Sequence, residues 1–509
     1  MRPLLLIPMM LVCMAPAPGP AQTSPLFPPP AAAAQLLPEA PRVPTTVEAQ
    51  GQDDPHPGNR SLVPFRSLPD INQREQDQSD DQLNPAVWMH HLIADRLWIS
   101  GQANFIFQAH GQFHSPYAGT NSFQSNVSQT ALSRVLTLYT GIKLQRWTEF
   151  VFDAEETGGK GVGQALGIAA FTNLDVVRNP TLSQNVYLAR YFIHQTFPLT
   201  AARVETQPNP FYLQNSLPRR RIEFLMGKLS MVDFFDVNAV GSDSHLQFTN
   251  WAIDNNGAYD YAADTRGYTT AAMLSYQGPV LGVRFAEALM PTVANGINLD
   301  YALRRARAEN LEIDWDPQWF QGLPTHIRPL AYLNHANMGD YRQAINGYLD
   351  HVDPVPDIVR SRRQGRLKQG FGINVEQELP SNFRAFFRAG WNEGHHESFA
   401  YTEMNNTVAF GADLAGNAWG RSEDRVGTAF ETGGLSRDHR EYLALGGLGF
   451  ILGDGRLNYG RESVSETYYT AHVIGGLYMA VQLSYVDNPG YNRDRGPVLV
   501  PGVRAHVDF

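Results

Sequence analysis

Two neighbouring runs constrain this chain more than any motif in it. In 366–378, Leu367, Phe371, Ile373 and Val375 face one way, while Arg366, Lys368, Asn374, Glu376 and Glu378 face the other. In 382–392, Phe383, Ala385, Phe387, Ala389 and Trp391 alternate with Arg384, Arg388 and Asn392. A period of two is the period of a β-strand. Burying unpaired charge is expensive, so the charged face needs water and is not a dry core. A sheet that is wet on one face and greasy on the other, strand after strand, is what a transmembrane barrel with a polar interior requires. The register then places Arg384 and Arg388 in water inside the barrel and Phe387 and Trp391 towards lipid.

The C-terminus follows the same rule. Val503, Ala505, Val507 and Phe509 alternate with Arg504, His506 and Asp508. Soluble domains tend to end on polar, frayed residues, whereas a barrel closes its sheet with the last strand. By resemblance to other such barrels, an aromatic end on this last strand makes Phe509 a candidate assembly signal for the barrel-assembly machinery. No segment offers the uncharged apolar run of about 18 residues that a membrane-spanning helix needs.

The N-terminus has the order of a secretory signal, with Arg2, an apolar stretch and a small-residue run ending near Ala21-Gln22. We take 1–22 as that signal. Residues 23–90, rich in Pro, Ala and Gln, read as a flexible periplasmic leader, with a short helix near Val87 to Leu97. Residues 91–509 form the barrel domain. Cys13 is the only cysteine, so the mature chain holds neither a disulfide nor a thiolate metal site. The net charge of −10 argues against a nucleic-acid partner.

Sixteen strand-like runs follow Trp98: 98–110, 133–146, 148–157, 185–197, 220–235, 266–277, 280–290, 305–316, 325–337, 366–378, 382–392, 404–415, 425–434, 463–473, 477–487 and 498–509. With the C-terminus in the periplasm, connections after odd runs face outward and are long, as at 236–265 and 338–365, while those after even runs are mostly tight, as at Gly278-Pro279 and Pro380-Ser381. The segment 198–219 breaks this asymmetry. The expected fold is an all-β transmembrane antiparallel barrel, with one long loop folded inward and short helical pieces in the loops.

Several segments resemble a known family. They are HGQFHSPYAGTNSF (110–123), GIAAFTN (167–173), FIHQTF (192–197), LMPTVANGINLD (289–300), NHANMGDY (334–341) and GKLSMVDFFDVNAVGSDSHLQFTNWAIDNNGAYDYAADTRGY (227–268). With them the chain resembles the carbohydrate-selective porins of the OprB family from about Ala103 to Phe509. The resemblance implies a sixteen-stranded outer-membrane barrel that passes monosaccharides and similar small sugars. It would stand among outer-membrane lipid and lipopolysaccharide as a monomer or homotrimer. The Pro-rich leader has no counterpart in that resemblance.

Candidate site residues come from the loop and the wall. Loop 236–265 carries Asp236, Asn250, Trp251, Asp254, Tyr259 and Asp260 among other Asp, Asn and aromatic residues. Amides and carboxylates suit sugar hydroxyls, and aromatic faces suit sugar C–H surfaces; the alternative is a surface loop whose Asp and Asn make turns. On the wall, Arg190, Arg284, Arg328, Arg384 and Arg388 with Glu312, Asp314 and Glu376 either donate to sugar hydroxyls or stiffen the barrel as cross-lumen ion pairs. No catalytic, metal or cofactor motif is legible. Gly161, Gly163 and Gly167 miss the dinucleotide spacing, and Glu155-Glu156 face opposite sides of a strand. The rival to a passive channel is an exported β-rich carbohydrate-binding protein or carbohydrate-active enzyme.

Overall fold

The computed structural model describes residues 96–509 apart from 177–183, 207, 318 and 321. The signal and leader readings, and all but the last two residues of the helix expected near 87–97, lie outside the described residues. Leu97 already opens a strand.

The strands are β1 (Leu97–His110), β2 (Gln129–Gln145), β3 (Thr148–Gly159), β4 (Tyr187–Pro198), β5 (Arg203–Glu205), β6 (Ser216–Pro218), β7 (Arg221–Leu229), β8 (Thr269–Gln277), β9 (Leu281–Leu289), β10 (Arg307–Trp315), β11 (Thr325–Met338), β12 (Arg363–Leu379), β13 (Phe383–Asn392), β14 (Asn406–Gly416), β15 (Arg421–Gly434), β16 (Glu462–Ile474), β17 (Leu477–Asp487) and β18 (Val498–Asp508). Sixteen of them close into one antiparallel barrel, and β5 pairs only with β6 as a separate ribbon. Each expected run is a barrel strand. The run 220–235 overshoots, because β7 stops at Leu229 and the chain turns inward through a short helical turn at Met231–Asp233.

Pairing of neighbouring strands explains why the alternation holds. Asn374 lies opposite Arg388 and Val375 opposite Phe387, so like faces meet across β12 and β13. Arg388 is wholly buried inside, whereas Phe387 and Trp391 are each 41% exposed outside. Trp315, Trp319, Phe383 and Trp419 ring one end of the outer surface, and Phe107, Phe371, Trp391 and Tyr485 the other, as interfacial aromatic girdles do.

β1 and β18 close the barrel with Gln102 opposite Asp508 and Gln108 opposite Gly502. Phe509 extends the seam: its N–H donates to the Gly101 carbonyl at 2.9 Å and its carbonyl accepts from the Gly101 N–H at 2.6 Å. Its ring covers Gly101, where a Cβ would lie 2.6 Å from the ring carbons.

Arg96, the first described residue, Phe509 and the short turns lie at one mouth, here the turn mouth, and the long connections at the other, the loop mouth. The segment 198–219, which breaks the length rule, falls in the turn-mouth connection between β4 and β7, which carries the β5–β6 ribbon. The apolar core sits inside the lumen, where loop residues such as Phe171, Trp251, Tyr259, Tyr261, Tyr401, Met404 and Phe450 pack against inward strand residues such as Tyr139, Phe192 and Tyr332.

Candidate functional site

The connection from Ser230 to Tyr268 folds into the barrel, and every residue in it except Val237 is buried. Its polar residues shape it locally. The Asn238 carboxamide oxygen accepts from the N–H groups of Val240 and Gly241, and Asn250 caps the short helix Trp251–Asp254 through Ala252 and Ile253. The Asp264 carboxylate accepts from Arg266 and Tyr268. These are Asx-turn and N-cap geometries.

Wall side chains latch the loop. Arg388 on β13 donates to the Ile253 carbonyl at 2.5 Å and the Asp236 carbonyl at 2.8 Å, and pairs with the Asp236 carboxylate at 3.1 Å. Burial nonetheless pushes the Asp236 carboxyl above its ordinary range, although Arg388 opposes the shift. Glu312 accepts from the Asp236 N–H at 2.7 Å and Glu376 from the Ala239 N–H at 2.9 Å. Glu466 accepts from Thr249 and Asn250, and Arg504 donates to the carbonyls of Ser244 and Gln247. Arg190 grips Asp233 through two hydrogen bonds, and Lys368 pairs with Asp260 at 2.9 Å.

Two further pieces narrow the lumen. The outer loop after β3 buries Gly167 to Val176, and Trp251 donates its indole N–H to the Asn173 carbonyl at 2.9 Å. From the turn mouth, Phe211, Tyr212 and Leu213 enter beside β2, β3, β4 and β7: the Tyr212 hydroxyl donates to Glu223 at 3.1 Å, and the Leu213 N–H donates to Glu149 at 3.2 Å.

Across the barrel from that intrusion, β9 to β15 carry a belt of alternating charge. Arg284 reaches Glu312 at 3.0 Å and Asp314 at 3.3 Å, and Arg328 reaches Asp314 at 3.1 Å and Glu376 at 3.2 Å. Arg384 and Arg425 share Asp413, at 2.5 Å and 3.0 Å. The side chains of Arg328 and Arg425 keep 11% and 17% of their surface exposed, unlike the sealed latch arginines. Asp314, Asp316 and His326 lie close enough to share an ion. Asp314 is already neutralised by two guanidiniums, however, so its charge does not call for a metal.

A family model described as "Carbohydrate-selective porin, OprB family" matches residues 124–509. The chain belongs to that family. The porin is also similar to the high-pH structure of Pseudomonas putida OprB, with a TM-score of 0.60 at 16% identity over 82% of this chain and 94% of that one. The outer-membrane channel DcaP of Acinetobacter baumannii gives a TM-score of 0.45 at 9% identity, over 81% of this chain and 97% of that one. Among curated protein sequences none matches the porin.

The candidate residues separate into two groups in the porin. Asp236, Asn250, Trp251, Asp254, Tyr259 and Asp260 all lie in the inward loop, but as its buried framework. Trp251 stacks on Tyr401 at 5.6 Å, and the Tyr259 hydroxyl donates to Asn310 at 2.8 Å. Their aromatic faces are spent on loop packing and present no platform to a sugar. Arg190 and Arg388 are covered latches, so the wall at Arg388 is not bathed in water as the alternation alone suggests. Arg284, Glu312, Asp314, Arg328, Glu376 and Arg384 meet in the belt, where Arg284, Glu312 and Glu376 also hold the loop.

Sequence reading missed Asp413 and Arg425 in the belt, Glu466 and Arg504 among the latches, and the inward turn of 167–176. The signal for the last was present: Ile168 to Phe171 is an uncharged apolar run in a connection that a solvated loop would not carry.

Glu403, in the connection between β13 and β14, ties that loop to the next by accepting from the N–H groups of Ile451 and Leu452 at 2.8 Å each. Burial pushes its carboxyl from the ordinary 4.5 up to about 7. The neighbouring His439 is pushed down to about 3 by burial and stays neutral. A raised carboxyl pKa contributes stability at low pH that is lost as pH rises towards 7. Amide exchange at Ile451 and Leu452, corrected for its intrinsic rate, is therefore expected to quicken between about pH 5 and about pH 8, and Glu403→Gln to remove that dependence. Equal protection at both pH values would show that Glu403 does not control this contact.

Proposed function

We propose that the porin passes monosaccharides, such as glucose and related small sugars, by passive diffusion along the charged belt. The observation that carries this reading is the belt's balance. Arg284, Arg328, Arg384 and Arg425 face Glu312, Asp314, Glu376 and Asp413, four cations against four anions. A neutral track has little reason to select an ion, yet it offers dense donors and acceptors that a sugar exchanges for its water. Weak, multiple contacts allow release as well as entry.

Family and fold are those of channels rather than enzymes, and they point to the outer membrane. A closed barrel with aromatic girdles also suits a channel better than a soluble carbohydrate-binding cleft. Cleavage of 1–22 and recognition by the assembly machinery belong to the same proposal. Liposomes containing the porin should swell faster in glucose than in a disaccharide of the same osmolarity, and Arg384→Ala with Arg425→Ala should reduce that preference. Equal swelling in both sugars would remove the selective role.

We place the assembly signal at Phe509 because its ring and both backbone groups engage Gly101 across the closing seam. Deleting Phe509 should lower the folded, heat-modifiable fraction in the outer membrane while export across the inner membrane stays normal. Unchanged folded levels would sink the proposal.

A further inference from the structure

At the loop mouth, above the lipid-facing wall of β9 to β13, arginines gather, and the Asp300 carboxylate beside them is engaged by Gln364 at 3.0 Å rather than by an arginine. Arg304 and Arg305 precede β10, Arg363 opens β12, and all three are exposed. A Cβ at Gly365 would lie 3.7 Å from the Arg305 Cβ, so the rim ends of these segments touch. Among the described residues these three arginines have no ion pair or side-chain hydrogen bond. Their neighbours differ: Arg307 is held by Glu309 and Arg366 by Gln343, each at 2.6 Å. The chain as a whole is anionic, at −10. A cationic patch here departs from that balance.

Below the patch, Phe371 and Trp391 form a ridge on the outer surface, their ring centroids 5.3 Å apart. Small residues flank it, Ala331 opposite Phe371 and Ala389 opposite Ile373. They leave two depressions of about 620 and 470 Å³ that share the ridge. Their walls, including Leu311, are mainly apolar and start at the aromatic girdle, where acyl chains leave their head groups.

We propose that this rim and groove bind one phosphorylated, multiply acylated glycolipid of the outer leaflet. Its phosphates rest on Arg304, Arg305 and Arg363, and acyl chains follow the Phe371–Trp391 ridge. The proposal rests on reading the barrel as an outer-membrane porin with its loop mouth outward. Only a ligand anionic at the rim and apolar beneath it satisfies both features. A lipid with a neutral head group satisfies the lower one alone.

The test adds diphosphoryl lipid A to the full-length porin in detergent and reads retention by native mass spectrometry. One lipid A per chain should survive mild activation. Dephosphorylated lipid A should be held less well. The triple variant R304Q/R305Q/R363Q should retain lipid A roughly a hundredfold more weakly, at about a factor of five for each cation near an anionic lipid surface. The variant A331F/A389F, which fills the groove and leaves the rim intact, should also weaken retention. Equal retention by wild type and both variants would overturn the site. Loss of a dimer or trimer mass in the variants, without change in bound lipid, would overturn it in favour of a contact between copies. The substitutions lie outside the lumen, so heat-modifiability and conductance should be unchanged. A wild type lacking both would instead overturn the porin reading.

Discussion

Replacing residues 237–264 by a short Gly/Ser linker is expected to raise single-channel conductance several-fold and to remove current block by glucose. The segment is the largest object in the lumen, and its residues are buried against the walls rather than in a shell of their own. Removing it strips partners from Arg388, Glu376 and Glu466. In a dry core, stranding such charges would cost about 3–5 kcal/mol each. Here water enters behind the departing loop and solvates them, and the interstrand ladder from β7 to β8 remains. The barrel should therefore assemble, with lower thermal stability but the usual gel shift on heating. An unchanged conductance would show that the loop does not set the width of the passage. Raised conductance with glucose block intact would assign recognition to the belt alone.

The strand plan was legible because one physical rule operates sixteen times. Inside each strand, residues such as Arg384 and Arg388 cannot face lipid, and Phe387 and Trp391 have no place in a charged lumen, so a period of two fixes the register. The overshoot at 220–235 shows where the rule weakens. Val232 and Phe234 continue the apolar alternation of β7 in sequence, yet both are buried inside the barrel beside Asp233, which Arg190 grips. That partner is 43 residues away, and no local pattern encodes it.

The site was legible in residue types and not in roles. A loop rich in Asn, Asp and aromatic residues looks the same whether those groups meet sugar or each other. Trp251 and Tyr259 meet Tyr401 and Asn310, contacts between separate connections of the barrel. The wall arginines divide for the same reason. Arg388 lies under the loop and Arg328 beside it, a distinction set by the path of residues 230–268 across the lumen rather than by either arginine's own strand.

Arg388→Met is expected to turn a quiet channel into a flickering one with a higher mean conductance. The wild-type guanidinium holds the loop at four places at once, through the Asp236 carboxylate, the Asp236 carbonyl, the Ile253 carbonyl and the Ser242 hydroxyl. Methionine keeps the length and the packing but none of the donors. Asp236 is left as a buried carboxylate beside a neutral wall, and breaking such a pair costs about 3–5 kcal/mol. Latches through Glu312, Glu376 and Lys368 remain, so the loop should detach part of the time rather than leave. The pH dependence gives an independent reading. Burial already raises the Asp236 carboxyl, and losing Arg388 should raise it further. Acidification should then protonate Asp236 in the variant and quiet its flicker, whereas the wild type should barely respond. Adding Asp236→Asn to Arg388→Met removes the stranded charge while keeping an acceptor for the Asn256 N–H, and should calm the channel at every pH. A steady single variant, or one whose flicker ignores pH, would show that this pair does not hold the loop.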